Sequence, residues 1–402
     1  MKKKKWCRFR HRVVWMICTP IIGFLTWIKS HAVIEPFKKG KKGQYLVLAN
    51  HQTVFDQFYI ALSFARPVYF LATENIFSNG FLSTLLRFSV APIPINKFAT
   101  DLKAVKTCYQ VVKEGGTIVI FPEGNSTHSG RTENMKSSIV TMARKFKLPI
   151  VFYKIEGGYG TKPRWGDKWR KGRVFAGVSR IMEPAEYAGL SDDGLFETIK
   201  KELYVNDHDI GGRYEGKFLA EHIERSMYVC PKCGLSVFES KGNRFWCTKC
   251  GHVTELLPDL TFKGVDTPFP FKNGTEWYDY QQEFINSLDP AEFFDKPAYT
   301  DRVDVYKVIV NKKKQLLLKD VELALYGNRM VVFGGDAQER VLSFDEMDGC
   351  AVIAANYLNV SCGGEVLQIR GSKSFNVVRF VNFYHRYKNS LKGDDNDKFL
   401  GL

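Results

Sequence analysis

Tyr45-Leu46-Val47-Leu48-Ala49-Asn50-His51-Gln52-Thr53-Val54-Phe55-Asp56 is the stretch whose reading decides the fold. An apolar β run, Tyr45–Leu48, empties into a polar turn, and a helix can begin where the turn ends. His51 and Asp56 are five positions apart, about 140° around a regular helix of ~3.6 residues per turn. They can meet only if His51 lies in the loop and Asp56 on the first helical turn. The layout recurs downstream, where the strand candidate Thr117–Phe121 runs into Phe121-Pro122-Glu123-Gly124. Ligands gather outside the carboxyl ends of strands in open α/β sheets, so two polar motifs at two such ends strengthen each other.

Working outward, Pro67–Ala72, Val90–Ile95, Pro149–Lys154 and Val174–Val178 read as further strands. Between them, Asp101–Lys113 carries Leu102, Val105, Cys108, Val111 and Val112 at helical spacing, and Met135–Lys145 reads as a second helix. The alternation predicts an α/β domain over 33–225 with a mostly parallel central sheet. Residues 256–297 are rich in Pro, Gly and aromatics and read as a linker with one short helix. From Val303 the periodicity drops to two, through Val308–Val310, Leu316–Leu318, Val321–Leu325, Met330–Phe333 and Asn359–Cys362, and the run closes on a helix at Val377–Tyr387. That predicts a β-rich domain over 298–390 with a tail at 391–402. Its order of strands then one helix resembles a pleckstrin-homology-like or GRAM-like domain.

Composition narrows the class. With 402 residues, 45% hydrophobic and 25% charged, the chain is neither disordered nor collagen-like. It has no apolar run long enough to suggest a polytopic membrane protein. The net charge of +15 is concentrated: residues 1–50 hold twelve Lys/Arg and one acid, Glu35, a balance of +11 that leaves +4 for the rest. A nucleic-acid binder carries its excess on a folded face, so no nucleic-acid partner is expected. Here the excess flanks Val13–Ile28, sixteen uncharged residues. As a helix these span ~24 Å against the ~30 Å of a bilayer's hydrocarbon core. A signal peptide cleaved near Ser30-His31-Ala32 and a short spanning helix compete with an interfacial or hairpin anchor over 1–32. The anchor accounts best for Trp6, Trp15 and Trp27, whose rings suit the headgroup level, and for the flanking lysines.

Four of the nine cysteines crowd into Cys230-Pro-Lys-Cys233-Gly and Cys247-Thr-Lys-Cys250-Gly, with thirteen residues between the pairs. Two such knuckles complete a tetrahedral thiolate set, predicting a structural zinc ribbon at 226–255. Two disulfides or a redox pair explain the repeat less well. Thiols kept reduced for a metal place the chain on the cytoplasmic face of a membrane, with membrane lipids as partners.

The motif set also resembles a known family, the glycerophospholipid acyltransferases typified by 1-acyl-glycerol-3-phosphate acyltransferase. Asn50-His51 with Asp56 matches the family's His-x4-Asp. Ala91-Pro92-Ile93-Pro94-Ile95-Asn96-Lys97 matches its second motif, with Lys97 where the family has Arg. Phe121-Pro122-Glu123-Gly124-Asn125-Ser126-Thr127 matches the third, with Ser126 in place of Arg, and Leu148-Pro149-Ile150 the start of the fourth. The resemblance covers about residues 40–225. It implies transfer of a fatty acyl group from acyl-ACP or acyl-CoA to lysophosphatidic acid, with His51 as general base and Asp56 orienting it. It also implies Glu123 and Gly124 at the acceptor, and the two departures single out Lys97 and Arg131 as the cations for its phosphate. An acyltransferase for glycerol-3-phosphate or a glycolipid, and a catalytically degraded membrane adaptor, are the alternatives. His128, with no carboxylate five residues on, is expected to be exposed. The apolar run from Phe77 to Phe88 is expected to pack in the core, and Trp165, Arg170 and Arg173 to form a solvated basic loop.

Overall fold

The computed structural model describes residues 5–41, 43–73, 77, 81–95, 98, 101–309, 312–334 and 339–392. The chain divides into two compact units, one formed chiefly by residues 1–163 and 169–214, the other by 164–168, 215–309 and 313–402.

The first unit opens with helix α1 (Phe9–Ser30), followed by β1 (Val33–Ile34), β2 (Leu46–Ala49), α2 (Asp56–Ser63), β3 (Val68–Thr73), α3 (Phe81–Ser89) and β4 (Ile93–Ile95). It continues through α4 (Leu102–Lys113), β5 (Thr117–Ile120), α5 (Ser138–Phe146), β6 (Ile150–Glu156), the single turn α6 (Gly158–Thr161), β7 (Phe175–Met182), α7 (Pro184–Ala188) and α8 (Asp192–Leu203). The strands form one mixed sheet in the order β1-β7-β6-β2-β5-β3-β4. β2, β3, β4, β5 and β6 are parallel to their neighbours in that run, and only the β6–β7 pair is antiparallel. β2 and β5 are apolar at nearly every position because both faces of the sheet are covered. Alternate residues part to opposite sides. Leu46, Leu48, Ile118, Ile120, Ile150 and Phe152 pack under α4, α5 and α8. Val47, Ala49, Val119, Val151 and Tyr153 pack with Tyr59, Ile60 and Phe64 around α2.

α1 is inverted. The residues it buries are polar, His11, Thr26 and Ser30. Those it exposes are large and apolar: Phe9, Met16, Ile17, Ile21, Phe24, Trp27 and Ile28. Its polar side is docked, with the Tyr59 hydroxyl donating to Ser30 Oγ at 2.9 Å and Trp15 Nε1 to the Ala61 carbonyl at 3.3 Å. Ahead of the helix, the Trp6 and Cys7 amides donate to Glu114 Oε2 at 2.8 and 2.7 Å. Arg10 donates to the Phe88 carbonyl and lies 4.1 Å from that ring's centre, which ties α1 to α3. On α3, Leu85 and Phe88 are exposed while Phe77 ahead of it is buried, so only part of the run expected in the core is there.

In the second unit β8 (Val229–Cys230) and β9 (Gly234–Leu235) form a small hairpin, and β10 (Phe238–Lys241), β11 (Arg244–Cys247), β12 (Val253–Leu256) and β13 (Phe262–Gly264) an antiparallel sheet. Helix α9 (Gly274–Ser287) packs against it. The stretch read from composition as a linker is therefore core. Trp277 is fully buried, its ring 5.0–5.8 Å from those of Phe238, Phe245, Phe262 and Phe269, and its indole N–H donates to the Val229 carbonyl. Its aromatic richness supplies the side chains that close a small β module.

The seven remaining strands are β14 (Tyr299–Lys307), β15 (Gln315–Leu325), β16 (Arg329–Phe333), β17 (Arg340–Ser343), β18 (Met347–Ile353), β19 (Tyr357–Cys362) and β20 (Glu365–Arg370). They pair in the order β17-β16-β15-β14-β20-β19-β18, antiparallel throughout. α10 (Val378–Lys392) closes the domain, with Tyr384 donating to the Met347 carbonyl and stacking edge-on against Phe344.

Candidate functional site

His51 leaves β2 in the loop, and Asp56 is the first residue of α2. Imidazole Nδ1 is 2.7 Å from Asp56 Oδ2. The carboxylate is buried and held on every side. Oδ2 also accepts from the backbone N–H groups of Gln52 (2.5 Å) and Thr53 (2.9 Å), and Oδ1 from the Thr53 hydroxyl at 3.1 Å. An anion at the first turn of a helix also meets the positive end of its dipole. With Nδ1–H donated to a carboxylate, the imidazole carries its lone pair on Nε2. The ring plane is set by Phe121, stacked on it at 4.3 Å and 22°. The His51 side chain keeps about a fifth of its surface exposed while Asp56 has none, so the pair opens to solvent through the imidazole.

Glu123 ends up beneath this pair. Its Oε1 accepts the His51 amide at 2.7 Å and its Oε2 the Glu133 amide at 2.7 Å. Burial pushes this carboxyl well above the usual range, and the Glu133 and His51 amides pull against that. The backbone of Gly124 turns with φ +76°, open to solvent, and its N–H returns to the Phe121 carbonyl. A side chain there would meet no neighbour but would be held in a left-handed conformation. The loop then folds back, with Thr127 N–H donating to the His51 carbonyl and the Thr127 and Ser129 hydroxyls to Glu133 Oε1.

The residues flanking His51 brace the turn. Asn50 exchanges two hydrogen bonds with the backbone of Ile155, both 2.8 Å, and so extends the β2–β6 pairing through a side chain. Gln52 Oε1 accepts from the Tyr159 amide, and Asp207 accepts from Gly157 and Gly160 in the same turn. Burial pushes the Asp207 carboxyl up to about 6 against the pull of those amides. Arg131 is half-buried further along the loop, its backbone bridged antiparallel to Asn206. The structure thus brings His51, Asp56, Glu123 and Gly124 together and sets Arg131 in the loop that Glu133 closes. Lys97 lies outside the described residues.

Two expectations are corrected. His128 is buried, drawn in where Thr127 and Ser129 fold over Glu133. Trp165 and Arg170 are also buried, the Arg170 Nη1 donating to the Gly160 carbonyl, so of the three residues expected in a solvated basic loop only Arg173 is exposed. Glu133 and Asp207, which brace the site, were missed. Neither sits in a spacing pattern with His51, and Asp207 arrives only when the chain returns after α8.

The four ribbon thiols lie within 4.8 Å of one another, with Cys230 and Cys250 Sγ 3.8 Å apart. Zinc bound at ~2.3 Å in a tetrahedron separates its sulfurs by ~3.8 Å, so the set fits a metal. Burial raises the Cys247 thiol, but the Cys250 and Lys249 amides and the Ser236 hydroxyl outweigh it and bring it down to about 7.

Residues 31–154 match the family model described as Acyltransferase. Among curated proteins, a 1-acyl-sn-glycerol-3-phosphate acyltransferase of Borreliella burgdorferi is 30% identical over 122 residues, 28% of this chain and 47% of that protein. The chloroplastic enzyme of that name from Brassica napus is 28% identical over 105 residues, 26% of this chain and 30% of that protein. A Bacillus subtilis 1-acyl-sn-glycerol-3-phosphate acyltransferase is 24% identical over 123 residues, 31% of this chain and 58% of that protein. The chain thus spans about a third to somewhat over half of these relatives' length. The crystal structure of the Thermotoga maritima LPA acyltransferase PlsC aligns with a TM-score of 0.41 and 22% identity, over 48% of this chain and 78% of that one.

Glu123→Gln tests the brace. One amide nitrogen then replaces a carboxylate oxygen and faces a backbone N–H, donor against donor. Leaving a buried donor unmet costs about 1–3 kcal/mol. Thermal denaturation is expected to show a lower Tm for this variant, with Glu123→Asp failing to restore it because its shorter stem cannot span both amides.

Proposed function

We propose that the chain is a membrane-associated O-acyltransferase that moves a fatty acyl group from acyl-CoA or acyl-ACP to the free hydroxyl of lysophosphatidic acid, a reading supported by the match of residues 31–154 to the Acyltransferase family model. The observation that carries this reading is the His51–Asp56 pair at the carboxyl end of β2, held at 2.7 Å. His51 Nε2 takes the proton from the acceptor hydroxyl as its oxygen attacks the thioester carbonyl. Asp56, held by the Gln52 and Thr53 amides, stabilises the imidazolium that forms. The tetrahedral intermediate collapses by breaking the carbon–sulfur bond, and the imidazolium returns its proton to the departing thiolate. The transfer is direct, without an acyl-enzyme.

Lys97 and Arg131 would balance the acceptor's phosphate, and Gly124 would give the acceptor an open backbone to approach. Glu123 acts there as a positioning residue, since both its oxygens serve backbone amides. Ser126, standing where the family carries Arg, favours as a second reading an acceptor without the phosphate, such as a glycolipid.

The inverted face of α1, with the exposed end of α3, supports seating in the headgroup region of a membrane. Salt screens the basic head but not apolar burial, so anchoring of this kind resists salt in part. The ribbon cysteines would hold a structural zinc, with no open coordination position for chemistry. Their need for reduced thiols supports the cytoplasmic face.

His51→Ala is expected to lower acyl transfer at least ~10²-fold with labelled acyl donor and lysophosphatidic acid, the loss typical of a general base. Turnover at the wild-type level would overturn the mechanism. Metal analysis should find about one zinc per chain, lost in the Cys247→Ser/Cys250→Ser variant with melting of the ribbon, because binding and folding energy are coupled in such sites. Ile17→Ser/Phe24→Ser removes apolar area from the exposed face of α1 without touching its docked side. Flotation with vesicles should fall while the melting temperature holds.

A further inference from the structure

The N-terminal head of the chain grips the turn between α3 and β4. Trp6 commits its indole N–H to the Ala91 carbonyl at 3.0 Å, and its half-buried ring packs against the cluster that includes Ile93 and Val111. On the first turn of α1, Arg10 Nε donates to the Phe88 carbonyl at 2.9 Å, and its guanidinium lies 4.1 Å from the centre of that residue's ring. Two side chains of the head thus hold two carbonyls where α3 ends. Glu114, just past α4, fixes the head in turn. Its Oε2 takes the Trp6 and Cys7 amides, and its Oε1 takes Gln110 Nε2 at 2.8 Å.

The turn is one that needs holding. The Val90 and Ala91 amides both return to the Leu86 carbonyl, at 3.0 and 3.1 Å, and Ala91 closes α3 in the left-handed region with φ +43°. Glycine usually fills such a position, because a Cβ makes the conformation costly, and another residue persists in it only where its surroundings impose it. Trp6 acts at the alanine's own carbonyl. β4, beyond it, is three residues long and lies at the edge of the sheet, paired with β3. Pro92 and Pro94 bring no N–H, so within 92–95 only Ile93 and Ile95 can donate to that pairing. A strand so short and so poor in donors does little to fix its own place, and it inherits the position of Ala91.

We propose, on the reading in which Lys97 balances the acceptor's phosphate, that Trp6 and Arg10 are positioning residues for the acceptor. They hold the α3–β4 turn and so fix the strand from which the chain departs toward Lys97. Neither touches substrate; each acts on a backbone carbonyl, 85 and 78 residues along the chain. Since Arg10 lies on α1 itself, the helix that offers its apolar face to a membrane also sets the acceptor segment. The effect is confined to one substrate. Displacing β4 moves a group that meets the acceptor, whereas His51 and Asp56 are held from β2 and α2, by Glu123 and the Gln52 and Thr53 amides.

Trp6→Phe keeps a ring and removes the N–H. Rates are measured on the full chain in detergent, with a short-chain lysophosphatidic acid below its micelle concentration, so that seating in a bilayer does not enter. The acceptor KM is expected to rise roughly tenfold, the scale of a displaced charge-assisted contact, with the donor KM and kcat within about twofold of wild type. Arg10→Gln should move the same constant in the same direction, and it is read in place of Trp6→Phe if that variant has a lower melting temperature. An unchanged acceptor KM, or equal deterioration toward both substrates, overturns the proposal. Lys97→Ala tests the reading beneath it. If that variant raises the acceptor KM, Trp6→Phe/Lys97→Ala should be no worse than Lys97→Ala alone, because a misplaced cation and a missing one lose the same contact. Full addition of the two effects overturns the route through Lys97. If Lys97→Ala leaves the acceptor KM unchanged, the phosphate role of Lys97 fails, while a selective rise in Trp6→Phe still supports placement of the segment by Trp6 and its absence still refutes it.

Discussion

Glu123 holds two loops with one carboxylate. Its Oε1 fixes the amide of His51 and its Oε2 the amide of Glu133, ten residues further along its own loop. Everything at the site depends on this. The imidazole can reach Asp56 only because its backbone is held at the end of β2. The segment 127–133 can fold over the site only because Glu133 is held in turn. A buried carboxylate is a costly brace, and it is tolerated because both oxygens are satisfied by amides that would otherwise be buried without partners.

The first unit was legible in the sequence where burial is symmetrical. β2, β5 and β6 are apolar because helices cover both faces of the sheet, and such runs announce themselves without context. The His51–Asp56 geometry followed from helical periodicity alone, since five residues cannot share a helix face. The clustering of the four cysteines was equally plain, because two Cys-x-x-Cys pairs each bring two thiols together locally and need only one further contact to meet. What was not legible depends on contacts far apart along the chain. Glu133 and Asp207 look like ordinary surface acids until the loops that engage the one and bury the other are closed. His128 had no local sign of its burial. Residues 256–297 read as a linker because Pro, Gly and aromatics mark loops in most chains, whereas here Phe262, Phe269 and Trp277 are the core of a module too small to build one from aliphatic strands.

Helix α1 shows a different limit. Its uncharged run was readable, but not which side faces the protein. An anchor reading keeps the apolar positions away from the protein, and the structure leaves them exposed. The positions that dock are Ser30 and Trp15, which meet the Tyr59 hydroxyl and the Ala61 carbonyl of α2. The burial pattern of the partner decides the orientation, and that partner lies 29 to 46 residues downstream.

The helix that receives α1 is also the helix that begins with Asp56. Tyr59, Ala61 and Leu62 lie three to six residues from that carboxylate, within ~9 Å at ~1.5 Å per residue, and they are the points where α1 rests. No flexible joint intervenes between them. A plane defined by the exposed face of α1 is therefore a coordinate axis for the imidazole: its height above that plane and its tilt are constants of the fold. On the proposed seating of α1 in a membrane, this geometry would act as a depth gauge, fixing how far from the bilayer surface a hydroxyl must lie to meet the imidazole.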